Sequence, residues 1–458
     1  MNCYLARTAL ISTVLVQGAC GPPLDAQVSA SALAAAWSEA ASMTIDRSYH
    51  AAGVLDGLWY VAGGIAGVGQ TVMYPSAIEV FDVAESTWEI ASAASTGREN
   101  PAAAVDAVGS RILFVGGLMP WMGPFGTPSD EANLKTRAGW STSHLKTGRI
   151  GHAAAFAGGR FVVTGGNGFV DGASFVRLND AEVMDPDRGE WTAAGTMPGG
   201  ERTGHTMTTL ADGRQIVVAG GCLPDRSLAS ADMFDASTMR WTKLPDMIAP
   251  HCRAAAALMA DGRVLVAGSI NLSKVSADAE VYDPTTAQWT LVASMGGPRY
   301  DHSMVILPDG RALVVGGTAD AVNGESGALR SAEVFDPKMN EWRPVANMRD
   351  ARRWPTVAVL GDSAFVTGGS NASGELATTE RLLLSSVDAS SDAASPGPSD
   401  GADASVDRDA SVDREGSRAQ GCACASAPTH LRSGVAEVLA SALACLSIFL
   451  RRPRRDST

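Results

Sequence analysis

The sequence predicts an all-β fold, a seven-bladed β-propeller whose ring is closed by an N-terminal strand. Three regularities predict it. Tryptophans stand at positions 37, 88, 140, 191, 241, 289 and 342, at intervals of 48 to 53 residues. Glycine pairs follow short apolar runs at Gly63-Gly64, Gly116-Gly117, Gly165-Gly166, Gly220-Gly221, Gly316-Gly317 and Gly368-Gly369, with Gly268-Ser269 in the remaining slot. An acidic residue lies nine positions before each tryptophan but the first: Glu79, Glu131, Glu182, Asp232, Glu280 and Glu333. A period near 50 residues marks an array of one supersecondary unit, each copy burying its faces against its neighbours.

The order of the marks specifies the closure. Glu380 keeps the acidic register, but position 389, where its tryptophan would stand, is alanine. Trp37 precedes the first diglycine and has no acidic residue nine positions ahead. Residues around Trp37 therefore supply the outermost strand of the blade whose other strands end near Leu384. Such a closure leaves no exposed sheet edge.

Each blade divides into four strands. The innermost, strand a, follows an arginine and runs through residues such as His302 to Leu307. Asp309-Gly310-Arg311 has hairpin chemistry. Strand b is a short apolar run, Ala312 to Val315, ending on the diglycine, where a close backbone approach leaves no room for a Cβ. Strand c, Ala332 to Asp336, is broken by Pro337, and strand d carries the tryptophan. Blade 2 is the weakest copy, with Leu134 in place of the strand-c aspartate.

Diglycine, trailing tryptophan and a period near 50 together resemble the kelch repeat over residues 37–384. Leu307-Pro-Asp-Gly-Arg311 is similar to the secreted bacterial members. The resemblance implies a seven-bladed scaffold that binds other molecules through its loop faces. It does not imply one activity.

The termini differ in composition. Residues 1–26 read as an export signal: Arg7, the apolar stretch Ala9 to Val16, then small residues. Gly18-Ala19-Cys20 resembles a lipoprotein cleavage box with Cys20 as the lipidated residue, although Gln17 departs from the usual leucine; simple cleavage near Ala19 or Ala26 is the alternative. Residues 27–384 are the expected propeller. Residues 385–420 are rich in Ser, Asp, Ala, Gly and Pro and include a tandem Asp-Ala-Ser-Val-Asp-Arg hexad, a composition with too little to bury, expected to be a disordered linker. Residues 421–458 hold Cys422 and Cys424, an apolar stretch from Val435 to Leu450, and the cluster Arg451-Arg452-Pro453-Arg454-Arg455. That order resembles a myxobacterial C-terminal sorting tag, with the two cysteines as processing or attachment residues; an ordinary tail anchor is the alternative. The protein is thus expected to be exported and held at the cell surface or outer membrane through its terminal tag.

Composition narrows the function. A net charge of −13 argues against a nucleic-acid partner, which needs a basic surface. No long uncharged apolar run supports a multi-pass membrane protein. An arginine lies 15 to 18 residues before each diglycine: Arg47, Arg98, Arg149, Arg202, Arg253, Arg299 and Arg352. Two readings stay open. The arginines, with Arg149, Arg202 and Arg299 as candidates, form a cationic ring at the channel mouth that captures an anion, or each pairs with a strand-c carboxylate, as a buried guanidinium requires. His50, His152, His205 and His302 each follow an arginine by three residues, but their spread around a ring disfavours a shared metal.

The remaining candidates lie in non-repeat material. Trp121, Met122 and Phe125, in the loop between strands b and c of blade 2, are apolar residues of the kind enriched at recognition sites; plugging the channel is the alternative. Long, varied loops at 65–75, 167–179 and 318–330 add to that surface. Cys222 and Cys252 fall on one face of adjacent blades and are expected to form a disulfide in an exported protein. The favoured function is a non-enzymatic, surface-displayed recognition module: a monomeric propeller binding an extracellular protein or glycan through its loops, without metal or cofactor. The alternative is a secreted carbohydrate-active enzyme, a galactose-oxidase-like oxidase or a sugar epimerase. The former needs two tyrosines and two histidines around copper, and Tyr49-His50 and Tyr300 near His302 only imitate that set.

Overall fold

The computed structural model describes residues 36–387 except 69–70, 95, 120–125, 171–173 and 323–326. Cys20, Cys422, Cys424 and the segments read as signal, linker and tag lie outside the described residues. Among those described are seven four-stranded antiparallel sheets, and the fold is an all-β propeller. Blade 6 shows the common plan. Strand a (Ser303–Ile306) pairs with strand b (Ala312–Val315), b with c (Ala332–Asp336), and c with d (Glu341–Val345).

Local chemistry explains each step of that plan. At the a–b turn, Gly310 takes a positive φ of 90°, while the Asp309 carboxylate accepts the Arg311 backbone N–H and holds its guanidinium. Strand b is buried along its length, consistent with an apolar run covered on both faces. Strand c sets an aromatic residue opposite the strand-d tryptophan: Phe81 and Trp88, Phe234 and Trp241, Tyr282 and Trp289, Phe335 and Trp342, with ring centroids 4.8 to 5.2 Å apart. These pairs pack at distances where aromatic rings gain beyond simple burial.

The tryptophans also tie blades together. Trp88 donates its indole N–H to Ala41, Trp241 to Ala194, Trp289 to Pro245 and Trp342 to Ala293, each a backbone carbonyl on the preceding blade. Trp37 does the same to Ala346. The strand that follows it, Ser38–Ala40, pairs with Thr379–Leu383, the c strand of the sheet built on Thr356–Leu360 and Ser363–Thr367. Trp37 thus occupies, in the seventh sheet, the place of a strand-d tryptophan.

The second residue of each diglycine carries a further inter-blade bond. Its N–H donates to the carbonyl that opens the next blade: Gly64 to Arg98, Gly117 to Arg149, Gly166 to Arg202, Gly221 to His251, Ser269 to Arg299, Gly317 to Arg352 and Gly369 back to Arg47. The first glycine makes room for the residue three positions after that carbonyl. A Cβ on Gly116 would come within 2.3 Å of His152, and one on Gly268 within 2.6 Å of His302. In blades 2 and 7 a proline, Pro101 or Pro355, fills the same place against Gly63 or Gly316. The histidines are therefore inter-blade packing groups, each seated on a neighbouring glycine.

Candidate functional site

The arginine register resolves into buried ion pairs. Arg47 meets Glu79, Arg98 Glu131, Arg149 Glu182, Arg202 Asp232, Arg299 Glu333 and Arg352 Glu380, at 2.5 to 3.0 Å. Five of these arginines also donate to the carbonyl of the first glycine of their own blade, as Arg202 does to Gly220. The carboxylates accept backbone N–H groups in turn: Glu182 from Lys146 and Thr147, Glu380 from Arg349 and Asp350. Arg149, Arg202 and Arg299 are at most 1% exposed. This corrects their candidacy as ligand-binding residues. Each guanidinium is buried against a carboxylate of its own blade, and a charge removed from water this completely requires such a partner.

Blade 5 departs from the pattern. His251, not Arg253, stands in the arginine's place: its Nδ1 donates to the Gly268 carbonyl at 2.8 Å, and its Nε2 lies 3.3 Å from the Glu280 carboxylate. Its own carbonyl takes the Gly221 bond. The arginine of this blade is displaced by two positions and leaves the core. Adjacent to His251, Cys252 forms a disulfide with Cys222, with Cα atoms 5.2 Å apart, joining the b–c loop of blade 4 to the start of blade 5.

The displacement puts Arg253 into a second ring of equivalent residues, two after each blade-opening residue: Tyr49, Asn100, Gly151, Gly204, Arg253, Asp301 and Trp354. All seven have positive φ, between 51° and 67°. Backbone N–H groups link the ring directly, Asn100 to Tyr49, Gly204 to Gly151, Arg253 to Gly204, Asp301 to Arg253 and Trp354 to Asp301. Because these residues lead into the innermost strands, they encircle the channel mouth.

One sector of the mouth carries charged and aromatic groups. Arg253 donates Nε and Nη2 to the two oxygens of Asp301, at 2.7 and 2.5 Å. Arg353 donates to the same carboxylate at 3.0 Å. The Arg353 guanidinium lies 3.7 Å from the Trp354 ring centre, Tyr49 stacks on Trp354 at 3.6 Å, and Arg253 lies 5.2 Å from the Tyr300 ring. Such stacking retains a guanidinium while leaving part of its fork free. Burial pushes the Tyr49 hydroxyl up, opposed by Arg253 and Arg353. Beside Tyr49, Glu99 is buried with no ion pair among the described residues, and burial raises its carboxyl to about 7. Tyr74, on the same side, is raised by burial and then by Glu99.

Around the mouth, the b–c connections form small hairpins: Ala66–Val68 with Thr71–Met73, Leu118–Met119 with Thr127–Pro128, Asn167–Val170 with Ser174–Arg177, and Ser370–Asn371 with Gly374–Glu375. In blade 5 the hairpin is continuous with the blade, from Val264–Asn271 to Lys274–Asp283. Val72, Met73, Phe175, Leu272 and Val322, all in these connections, are exposed. Trp121, Met122 and Phe125 fall outside the described residues.

The architecture and its repeat chemistry define a class, and comparison with known proteins agrees. Residues 151–369 match the KLHDC2/KLHL20/DRC7 Kelch-repeats domain, so this stretch of the chain is similar to kelch-repeat domains. Kelch-like protein terF of Aspergillus terreus (strain NIH 2624 / FGSC A1156) is 28% identical over 175 residues, 36% of this chain and 37% of that relative. The match therefore spans well under half of the relative's length. Among solved structures, a fungal alcohol oxidase of the AA5 family in complex with copper superposes with a TM-score of 0.61 at 16% identity, over 76% of each chain. YjhT superposes with a TM-score of 0.50, also at 16% identity, over 66% of this chain and 98% of its own. Both likenesses concern the fold alone.

Sequence reasoning missed the mouth cluster. The signal was present as a column: Gly151, Gly204 and Asn100 stand at one offset from the blade start, and these are the residue types that tolerate positive φ.

Proposed function

We propose that this protein is an exported, surface-displayed recognition module that binds an extracellular protein or glycan through the loop face of its propeller. One observation carries the reading. The repeated charged residues of the blades are consumed in buried pairs, whereas the b–c connections present exposed Val72, Met73, Phe175, Leu272 and Val322 around the channel mouth. Rigid blades holding varied, apolar loop tips suit binding more than repeat-encoded chemistry. The kelch-repeat match supports an interaction module.

The likeness to a copper alcohol oxidase raises the enzymatic alternative, and the donor set speaks against it. His50, His152, His205 and His302 sit against the glycines of neighbouring blades, and Tyr300 donates its hydroxyl to the Asp320 carbonyl. The mouth itself offers arginines, a paired aspartate, tryptophan and the tyrosines Tyr49 and Tyr300, a set that lacks the two histidines such a copper site needs beside its tyrosines.

Display follows from the terminal segments, with residues 385–420 as a stalk and Cys422 and Cys424 as attachment residues. A chain of this length spans on the order of 35 Å, enough to hold the propeller clear of a membrane. Protease shaving of intact cells should release the propeller, and a glycan array with a surface pull-down using the released protein should yield a ligand. Full protection from the protease, or stoichiometric copper in the purified protein with turnover of alcohols, would overturn the reading.

A further inference from the structure

The propeller does not require large side chains at the channel mouth. Blades 3 and 4 use glycine there, Gly151 and Gly204, and blade 2 uses asparagine. Tyr49, Arg253, Asp301 and Trp354 hold the same left-handed backbone at φ of 53° to 55°. Each such residue holds a backbone conformation that glycine adopts freely and that an L side chain strains. Four strained residues are clustered in adjacent sectors, from blade 5 through blade 7 to blade 1, and they touch one another. Strain gathered where the fold would accept glycine points to a use for the side chains.

Their chemistry indicates the use. Two guanidinium groups share one buried carboxylate, leaving the trio of Arg253, Arg353 and Asp301 with a net positive charge. Asp301 takes Nε and Nη2 of Arg253 and Nε of Arg353. Among the described residues, Nη1 of both arginines has no partner. The Arg253 side chain is 34% exposed, so its free edge is open to the solvent side of the mouth. Tyr49, Tyr300 and Trp354 wall the arginines with aromatic surface. Across Tyr49 lie the Glu99 carboxyl and Asn100, hydrogen-bonding groups suited to hydroxyls.

We propose that this sector of the mouth binds a uronate, the carboxylate of an acidic sugar in an extracellular glycan, with Arg253 and Arg353 on the carboxylate and Tyr49 and Trp354 against the ring. A single carboxylate matches the one uncompensated positive charge. A phosphate dianion would add negative charge beside Asp301 and Glu99. A peptide C-terminus would satisfy the arginines but leave Glu99 and Asn100 without hydroxyl partners. Aromatic walls with a few convergent polar groups are the usual composition of a small-ligand site.

The inference rests on the loop-face recognition reading and refines it. The test is calorimetric titration of the full chain with a galacturonate trisaccharide, its uncharged galactose counterpart, and a short peptide with a free C-terminal carboxylate. Arg253→Gly installs the residue that blade 4 carries at this position, and Arg253→Lys keeps the charge while removing the fork. Galacturonate should bind, at least tenfold more weakly to both variants, with the melting temperature of Arg253→Gly within a few degrees of the parent. Equal affinity for the neutral sugar, preference for the peptide, or affinity unchanged in both variants would overturn the uronate site. A partner captured from the array or the pull-down that is indifferent to Arg253 would leave loop-face recognition standing while removing the uronate.

Discussion

Glu99 is 7% exposed in a wall of tyrosines, with burial alone raising its carboxyl to about 7. Its folded pKa therefore lies above the unfolded value of about 4.3. Protonated Glu99 is compatible with the fold, so the stability contributed by this one group is fully present below about pH 4.3 and is lost as pH rises through about 7. Glu99→Gln should remove that decline and raise stability at pH 8 by at most about 4 kcal/mol. Chemical unfolding of both proteins at pH 5 and pH 8 checks this; an equal loss in the two would show that Glu99 is already charged in the fold. The same scale shows what letters alone hide. Arginine and acid in fixed register at 202 and 232, or 352 and 380, announced buried pairs because both members recur. Arg253 looked like one of the set because it precedes Gly268 by 15 residues. Only the backbone bond from Gly221 to the His251 carbonyl shows that a histidine fills the slot and that Arg253 is free for the mouth.

At the scale of the element, strand boundaries were legible where turn chemistry marks them. Ala312–Val315 and Ala332–Asp336 lie where Asp-Gly-Arg, the diglycine and Asp-Pro place them. The small hairpins in the b–c connections were not legible. Ala66–Val68 and Ser174–Arg177 are short, Gly-rich or irregular in pattern, and they are held by their setting rather than by periodicity. The N-terminal strand makes the sharpest test at this scale. Trp37 is 6% exposed and packs with Leu307, Val345, Met348 and Leu382, while Ser38–Ala40 covers the edge of Thr379–Leu383. Trp37→Ala should cost about 3–5 kcal/mol, the usual range for a buried tryptophan. The uncovered edge should also promote self-association, visible as light scattering at concentrations where the parent is monodisperse. A melting temperature equal to the parent's would refute this role for the strand.

At the scale of the molecule, the blade junctions share a vulnerability to acid. His50, His152 and His302 are buried on neighbouring glycines, with burial first and the adjacent arginines next holding their rings down to about 3. His205 is held well below the usual histidine range for the same reasons. Unfolded histidines take a proton near pH 6.5, so unfolding takes up protons throughout the window from about 6.5 down to about 3. Stability is complete above that window and is lost as pH falls through it, by up to about 5 kcal/mol per pH unit if four rings contribute fully. Glu99 opposes the trend by one proton in the upper part of the window. His302 isolates the effect, since neither of its ring nitrogens has a hydrogen-bond partner among the described residues and it gives the fold only its volume. Blades 2 and 7 fill the same place with Pro101 and Pro355, each after a residue with the same left-handed backbone that precedes His302. His302→Pro should therefore fold, and should lower the slope of stability against pH between 4 and 6 by about 1.4 kcal/mol per pH unit. Urea unfolding of parent and variant across that range measures the slope directly. An unchanged slope would mean that His302 is protonated without cost in the native ring, and that the junctions do not set the acid limit.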